Sequence, residues 1–240
     1  MNHESISKTT SNPLNVVSKI SYKGVDVVVL EDVYEPAEDT FLLAECAVSE
    51  FEKTAADSRI SSSFSSASSA FSLEIGAGSG FASAFLQSAF PNLNAAAVDI
   101  NPNAVLCSEM NGVRVFESDM FQIFKASESV SFDSNVLKPQ RFDLILFNPP
   151  YLPTADDEKI DSMLNYAFDG GISGRDSIDR FLAEVGAYLS ENGFFLLLIS
   201  SITGLEEVKD EMMKNGFSAE IIGKKKCSFE ELMVLKGKPL

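Results

Sequence analysis

Asn148-Pro149-Pro150-Tyr151 follows directly on the apolar run Phe142-Asp143-Leu144-Ile145-Leu146-Phe147. Two consecutive prolines cannot continue a strand, because neither has the N–H that a ladder needs. A strand must stop here in a rigid turn that carries one amide side chain and one aromatic ring. An amide oxygen followed by a stiff backbone carbonyl offers two acceptors to a planar NH2 group, and a tyrosine ring can stack on its plane. Such a turn could hold a nitrogen for alkylation. Asn-Pro also starts ordinary turns, so its chemistry depends on its neighbours.

Three further strand ends carry suitable groups. Glu74-Ile75-Gly76-Ala77-Gly78-Ser79-Gly80 closes one apolar run and opens a helical pattern. Its glycines, Gly76 and Gly78 foremost, let the backbone turn sharply and pass close to a ligand. The spacing is Gly-x-Gly-x-Gly rather than the Gly-x-Gly-x-x-Gly of dinucleotide binders, and taken alone it could be a tight turn that binds nothing. Asp99 ends the next run, Ala95-Ala96-Ala97-Val98-Asp99, where an acid meets a ribose hydroxyl pair. Asp119, in Glu117-Ser118-Asp119-Met120, could accept from an adenine amino group, with Met120 against the ring. Each acid alone is an ordinary cap or loop residue. Together the strand ends describe an adenosine pocket beside a nitrogen-holding turn.

The elements that must position these groups are legible in the period of the apolar residues. A strand is expected at Val25–Leu30 and a helix at Phe41–Lys53, with Asp39 or Thr40 as its N-cap. Apolar runs at Leu73–Ile75, Ala95–Ile100, Val113–Phe116, Phe142–Phe147 and Phe194–Ile199 alternate with helical patterns at Phe81–Ala89, Asn103–Met110 and Ser177–Ser190. Nearly continuous apolar strands alternating with helices predict a doubly wound, mostly parallel sheet. A helix at Leu205–Asn215 and strands at Ala219–Ile222 and Glu231–Lys236 are expected to close it as an antiparallel hairpin. Residues 1–240 are read as one domain, with a flexible start at 1–19. Stretches 57–70, rich in Ser, and 125–140, polar, are read as insertions that cannot bury enough to offset their ordering entropy.

Composition removes several rival chemistries. Asp and Glu number 35 against 19 Lys and Arg, a net charge of −16, so bare nucleic acid is repelled. The short basic cluster Lys224-Lys225-Lys226 is expected to be a solvated loop. With 3 Cys and 1 His in the chain, neither a Cys/His metal site nor a His-based triad is expected. No apolar run approaches membrane-spanning length and no leader is apparent. The expected setting is reduced and cytoplasmic, the nucleus being also open, with no membrane contact.

This combination resembles the class I S-adenosylmethionine-dependent methyltransferases, whose amino-nitrogen branch carries Asn/Asp-Pro-Pro-Tyr/Phe. Three segments narrow the resemblance to the HemK-type release-factor glutamine methyltransferases: Val33-Tyr34-Glu35-Pro36-Ala37-Glu38-Asp39-Thr40-Phe41-Leu42-Leu43, Phe147-Asn148-Pro149-Pro150-Tyr151-Leu152-Pro153 and Gly170-Gly171-Ile172-Ser173-Gly174-Arg175-Asp176-Ser177-Ile178-Asp179-Arg180-Phe181. With almost no extra N-terminal domain, the chain looks like the eukaryotic and archaeal branch. The resemblance implies a seven-stranded Rossmann-like sheet with an antiparallel last strand. It implies methyl transfer from S-adenosyl-L-methionine to the glutamine of a Gly-Gly-Gln motif in a class I peptide chain release factor. A heterodimer with a small zinc-binding activator subunit that covers an apolar surface is also implied. Carried over by position, Thr40, Glu74, Gly76, Gly78, Asp99, Asp119, Met120 and Asn148 would hold the cofactor. Asn148, Pro149 and Tyr151 would hold the substrate amide. Lysine methylation, and amino-nitrogen methylation of adenine or guanine in nucleic acid, remain open as alternatives.

Overall fold

The structure, a computed structural model, describes residues 15–56, 70–125, 141–154 and 168–240. The 57–70 and 125–140 stretches lie outside these residues, save Ala70 and Lys125, as does the start up to residue 14. Two strands, β1 (Val16–Tyr22) and β2 (Val25–Leu30), form a hairpin of their own. Helix α1 (Glu38–Ala56) leads to β3 (Phe71–Ile75), α2 (Phe81–Ala89), β4 (Asn94–Asp99), α3 (Pro102–Met110), β5 (Val115–Glu117) and the short α4 (Gln122–Lys125). Then follow β6 (Phe142–Phe147), α5 (Asp176–Glu184), β7 (Leu189–Ser200), α6 (Leu205–Lys214), β8 (Glu220–Lys226) and β9 (Glu231–Gly237).

Strands β3 to β9 make one sheet in the order β5-β4-β3-β6-β7-β9-β8. Pairing is parallel from β5 to β7, and β9 runs antiparallel to both its neighbours. The expected seven-stranded, mostly parallel sheet with an antiparallel last strand is what forms. The chain moves outward from β3 to β5 and then returns to β6 on the other side of β3. The strand order therefore reverses between β3 and β6, and a ligand cleft belongs outside their carboxyl ends.

The near-continuous apolar strands are needed because both faces are covered. On β6 and β7, Ile145, Phe147, Phe195, Leu197 and Ile199 enter one core with Phe181 of α5 and Val208 of α6. The alternate residues Leu144, Leu146, Phe194, Leu196 and Leu198 enter the other with Leu43 of α1 and Phe81 of α2. All ten of these strand side chains are at most 3% exposed, so a shift of one residue in register would exchange the two cores.

Several boundaries differ from the sequence reading. The supposed flexible start 1–19 enters β1 at Val16, whose residues 16–22 are at best half-buried. The hairpin docks through Tyr22, stacked on Phe41 at 4.0 Å, and through Asn111, which exchanges two hydrogen bonds with the Val28 backbone at 2.9 and 2.8 Å. Helix α5 ends at Glu184, not Ser190; Leu189 instead pairs with Phe142 in the sheet, and Arg141 donates to its carbonyl at 2.9 Å. The Lys224-Lys225-Lys226 cluster is not a loop. It lies on the outer strand β8, where Lys224 pairs with Glu231 and Lys225 with Glu38, and where charged side chains discourage edge-to-edge pairing.

Candidate active site

The cleft predicted by the strand order is a cavity of about 440 Å³ lined by the ends of β3, β4, β5 and β6. Every site residue expected from sequence lines it: Thr40, Glu74, Gly76, Gly78, Asp99, Asp119, Met120, Asn148, Pro149 and Tyr151.

The glycine turn forms because Gly76 and Gly78 take φ of +68° and +55°, the left-handed region that side chains disfavour. Both Gly76 and Ala77 donate backbone N–H groups to Val98 O, at 2.9 and 3.1 Å. A Cβ on Gly76 would stand 3.9 Å from the Asn148 carbonyl oxygen, so this turn and the Asn-Pro-Pro-Tyr turn face each other across the switch point. A Cβ on Gly78 would meet nothing within 4 Å, which leaves the space beside its Cα open to a ligand.

Asp99 Oδ2 accepts from Gly78 N and its Oδ1 from Asn101 N, each at 2.8 Å. Burial raises its pKa. Glu74 accepts from both the backbone N–H and the hydroxyl of Ser83. Burial pushes its carboxyl up to about 7 despite those bonds, with Asp99 adding to the rise. Asp119 is held by Arg180 at 2.8 Å and by Gln122 at 3.1 Å. Beside it Met120 is a non-glycine residue at φ +47°, and such strained backbone concentrates at functional sites.

Asn148 carries the sharpest signal. Its Nδ2 donates to Asp39 Oδ2 at 3.2 Å. Its Oδ1 is buried and has no partner, one of two such side-chain atoms among the described residues. A buried acceptor left unpaired costs about 1–3 kcal/mol, and the cost is removed when a donor arrives.

Sequence reasoning missed Asp39 as a site residue. It expected an N-cap, but α1 begins at Glu38, one residue before Asp39, and Asp39 is 3% exposed inside its first turn. Asp39 Oδ1 accepts from the N–H of the next residue, Thr40, at 2.6 Å, which is not a cap's bond to the second or third helical residue. Its Oδ2 turns instead to the cavity and accepts from Tyr34 Oη at 2.9 Å and Tyr151 Oη at 3.4 Å. Burial, and after it the Asp39 charge, raises the pKa of Tyr34; in Tyr151 burial leads and the charges of Asp39 and Glu230 follow. Both phenols stay protonated donors. The segment after the cavity, Gly170–Gly174, packs directly on the turn: a Cβ on Gly174 would come 2.7 Å from Tyr151 O, and one on Gly170 2.9 Å from Pro150 O. Arg175 donates to Thr203 O at 2.7 Å and braces that segment.

A glycine turn after the first core strand, acids after the next two and an amide-bearing proline turn after the fourth, all at one switch point, define a Rossmann-like methyltransferase domain. The chain belongs to the Methyltransferase small domain family, whose profile matches residues 58–229. It is 39% identical over 225 residues to a provisionally named protein N5-glutamine methyltransferase of Methanocaldococcus jannaschii, a match covering 91% of this chain and 98% of the relative. To the human methyltransferase HEMK2 it is 32% identical, over 85% of this chain and 89% of the relative. The eRF1 methyltransferase catalytic subunit mtq2 of Schizosaccharomyces pombe is 31% identical over 86% and 89%. Among solved structures, the E. cuniculi Mtq2–Trm112 complex that methylates eRF1 matches with a TM-score of 0.59 at 22% identity, over 87% of this chain and 99% of that chain, a likeness of fold.

Proposed function

We propose that this chain transfers a methyl group from S-adenosyl-L-methionine to N5 of the glutamine in a Gly-Gly-Gln motif of a class I peptide chain release factor. The observation that carries this reading is the buried Asn148 Oδ1, without a partner among the described residues, in one cavity with the open space beside Gly78 and the acids Asp99 and Asp119. The donor set fits the cofactor. Asp99 retains lone pairs for ribose hydroxyls and Asp119 for an amino group, since an ionised carboxylate has about four acceptor positions. Met120 supplies an apolar surface, Thr40 and Glu74 would help to hold the cofactor from the same cavity wall, and about 440 Å³ lies within the range of small-ligand sites. When bound, the cofactor supplies an electrophilic methyl group.

The chain's own residues supply orientation. A carboxamide nitrogen is a poor nucleophile because its lone pair is delocalised into the carbonyl. Asn148 Oδ1 and the Pro149 carbonyl accept its two N–H bonds, aim the nitrogen and stabilise positive charge as it develops. Tyr151 covers the amide plane. The surplus proton leaves to water.

In this reading the chain works in the cytoplasm as the catalytic half of a heterodimer. The three-residue edge strand β5, with Ile100, Leu106 and Met110 each about two-fifths exposed beside it, is the surface an activator subunit covers. The test is labelled-methyl transfer, with and without a small zinc-binding activator, to a release factor, its Gln→Ala variant, a histone and a DNA duplex. Label on the release factor alone is expected. Label on the Gln→Ala variant, or on histone or DNA but not the factor, overturns the reading.

A further inference from the structure

We propose that Asp39 is a positioning residue that locks the Asn148 amide with its oxygen toward the acceptor, and that Tyr34 and Tyr151 hold Asp39 in that task. The proposal rests on the role given to Asn148 above. It answers a question that the turn by itself leaves open.

An asparagine amide is nearly symmetrical in shape. Half a turn about its last torsion exchanges oxygen and nitrogen with little steric consequence. Only one of the two states can receive an incoming NH2 group; the other sets donor against donor. The two prolines fix the backbone of the turn but not this torsion, so something else must choose.

Asp39 chooses because a carboxylate accepts and does not donate. Its Oδ2 stands 3.2 Å from Asn148 Nδ2. In the flipped amide two acceptors would meet beside a side chain that is 3% exposed, where repulsion is poorly screened. The carboxylate cannot turn away to relieve this. Its Oδ1 is occupied by the N–H and hydroxyl of Thr40 at 2.6 and 3.2 Å. Its Oδ2 also receives the phenols of Tyr34 and Tyr151, which reach it from opposite sides in sequence, 5 and 112 residues away. One oxygen thus gathers donors from the segment before α1 and from the turn after β6. The partnerless Asn148 Oδ1 is the outcome of this arrangement: the oxygen is the end left over once the nitrogen has been claimed.

The test is a double-substitution cycle in the full chain, with labelled-methyl transfer to the release factor. Asp39→Asn keeps the side-chain size but places an NH2 where Asn148 can meet it with oxygen. The expected kcat is about 10²-fold below wild type, by analogy with loss of one preorganised hydrogen-bond partner. The Kd for S-adenosyl-L-methionine and the KM for the acceptor should stay close to wild type, while the melting temperature should fall, because Tyr34 and Tyr151 lose a charged, buried acceptor. Because Asp39 acts through Asn148, Asp39→Asn combined with Asn148→Ala should be no slower than Asn148→Ala alone. Wild-type kcat in Asp39→Asn, or losses that multiply in the double variant, overturns the proposal.

A second readout needs no activity. The Asn148 side-chain NH2 resonances, assigned by their disappearance in Asn148→Ala, should include a proton shifted downfield by the carboxylate. That shift should vanish in Asp39→Asn. A resonance that does not respond to Asp39→Asn refutes the lock. If the wild-type chain methylates no release factor while the resonance responds, the acceptor assignment fails and the lock stands.

Discussion

Arg180 on α5 donates from Nη2 to Oδ1 of Asp119 at 2.8 Å, joining that helix to the loop after β5 at the wall of the cavity. Both side chains are partly exposed, at 50% and 30%, so the pair adds little to stability, about 0–1 kcal/mol. Its consequence is geometric. With Gln122 on the other oxygen, Asp119 has one orientation before any ligand arrives. Arg180→Ala should leave the melting temperature nearly unchanged and weaken S-adenosyl-L-methionine roughly 2–10-fold, the worth of one ordinary hydrogen bond. Asp119→Ala should weaken it more, about 10–100-fold, because the lost acceptor is charged. Calorimetric titration of the two variants decides; equal, negligible effects would remove Asp119 from the site.

Asn148→Ala deletes the partnerless acceptor and its bond to Asp39 together. The expected loss is in kcat, roughly 3–4 kcal/mol or 10²–10³-fold, as when one oxyanion-hole donor is removed. Cofactor affinity should change far less, since Gly76, Gly78, Asp99 and Asp119 are untouched. Stability should be close to neutral, because the substitution also removes a buried unsatisfied atom. Full turnover in this variant would dismiss the turn as the place where nitrogen is held.

Glu74 predicts a pH dependence of the fold itself. Its folded-state pKa of about 7, against an ordinary 4.5, means that the folded chain binds the proton more tightly than the unfolded one. The contribution to stability is complete below about 4.5 and is lost as pH rises through 7. The difference amounts to about 3 kcal/mol between those limits. Asp99 is raised in the same direction by burial and adds to the slope. Denaturant unfolding of the ligand-free chain at pH 5 and pH 8 should therefore show a loss that Glu74→Gln reduces. An identical pH slope in wild type and Glu74→Gln would contradict it.

The fold and most of the cavity wall were legible because each depends on local pattern. Unbroken apolar runs report a sheet covered on both faces, and glycines, acids and prolines at strand ends report what the sheet presents. Tertiary pairing was not legible. β1 reads as polar because no residue in it is fully buried, and its place is set by Tyr22 on Phe41 and by Asn111 on Val28. Lys224–Lys226 reads as a loop because edge strands are permitted charges that inner strands are not. Asp39 reads as a cap because it stands where a helical pattern begins, but it lies inside the first turn of α1. Its link to Asn148 spans 109 residues and leaves no local signature, so the side chain that holds the Asn148 amide nitrogen was the part of the site that sequence could not supply.

Gly174 offers a way to move the turn without touching its side chains. Its φ of +70° costs an added side chain about 1–2 kcal/mol. The new Cβ would also lie 2.7 Å from Tyr151 O and 3.4 Å from Pro153, so the turn itself must shift. Gly216 is the control: its φ is +82°, but a Cβ there meets nothing within 4 Å. Gly216→Ala should cost stability alone. Gly174→Ala should cost at least as much and also slow methyl transfer, by about 10²-fold if the turn moves on the order of 1 Å. Denaturation and kcat measured on both variants separate strain from displacement. Gly174→Ala with wild-type kcat would mean that Asn148 and Tyr151 keep their places without the Gly170–Gly174 segment packed against them.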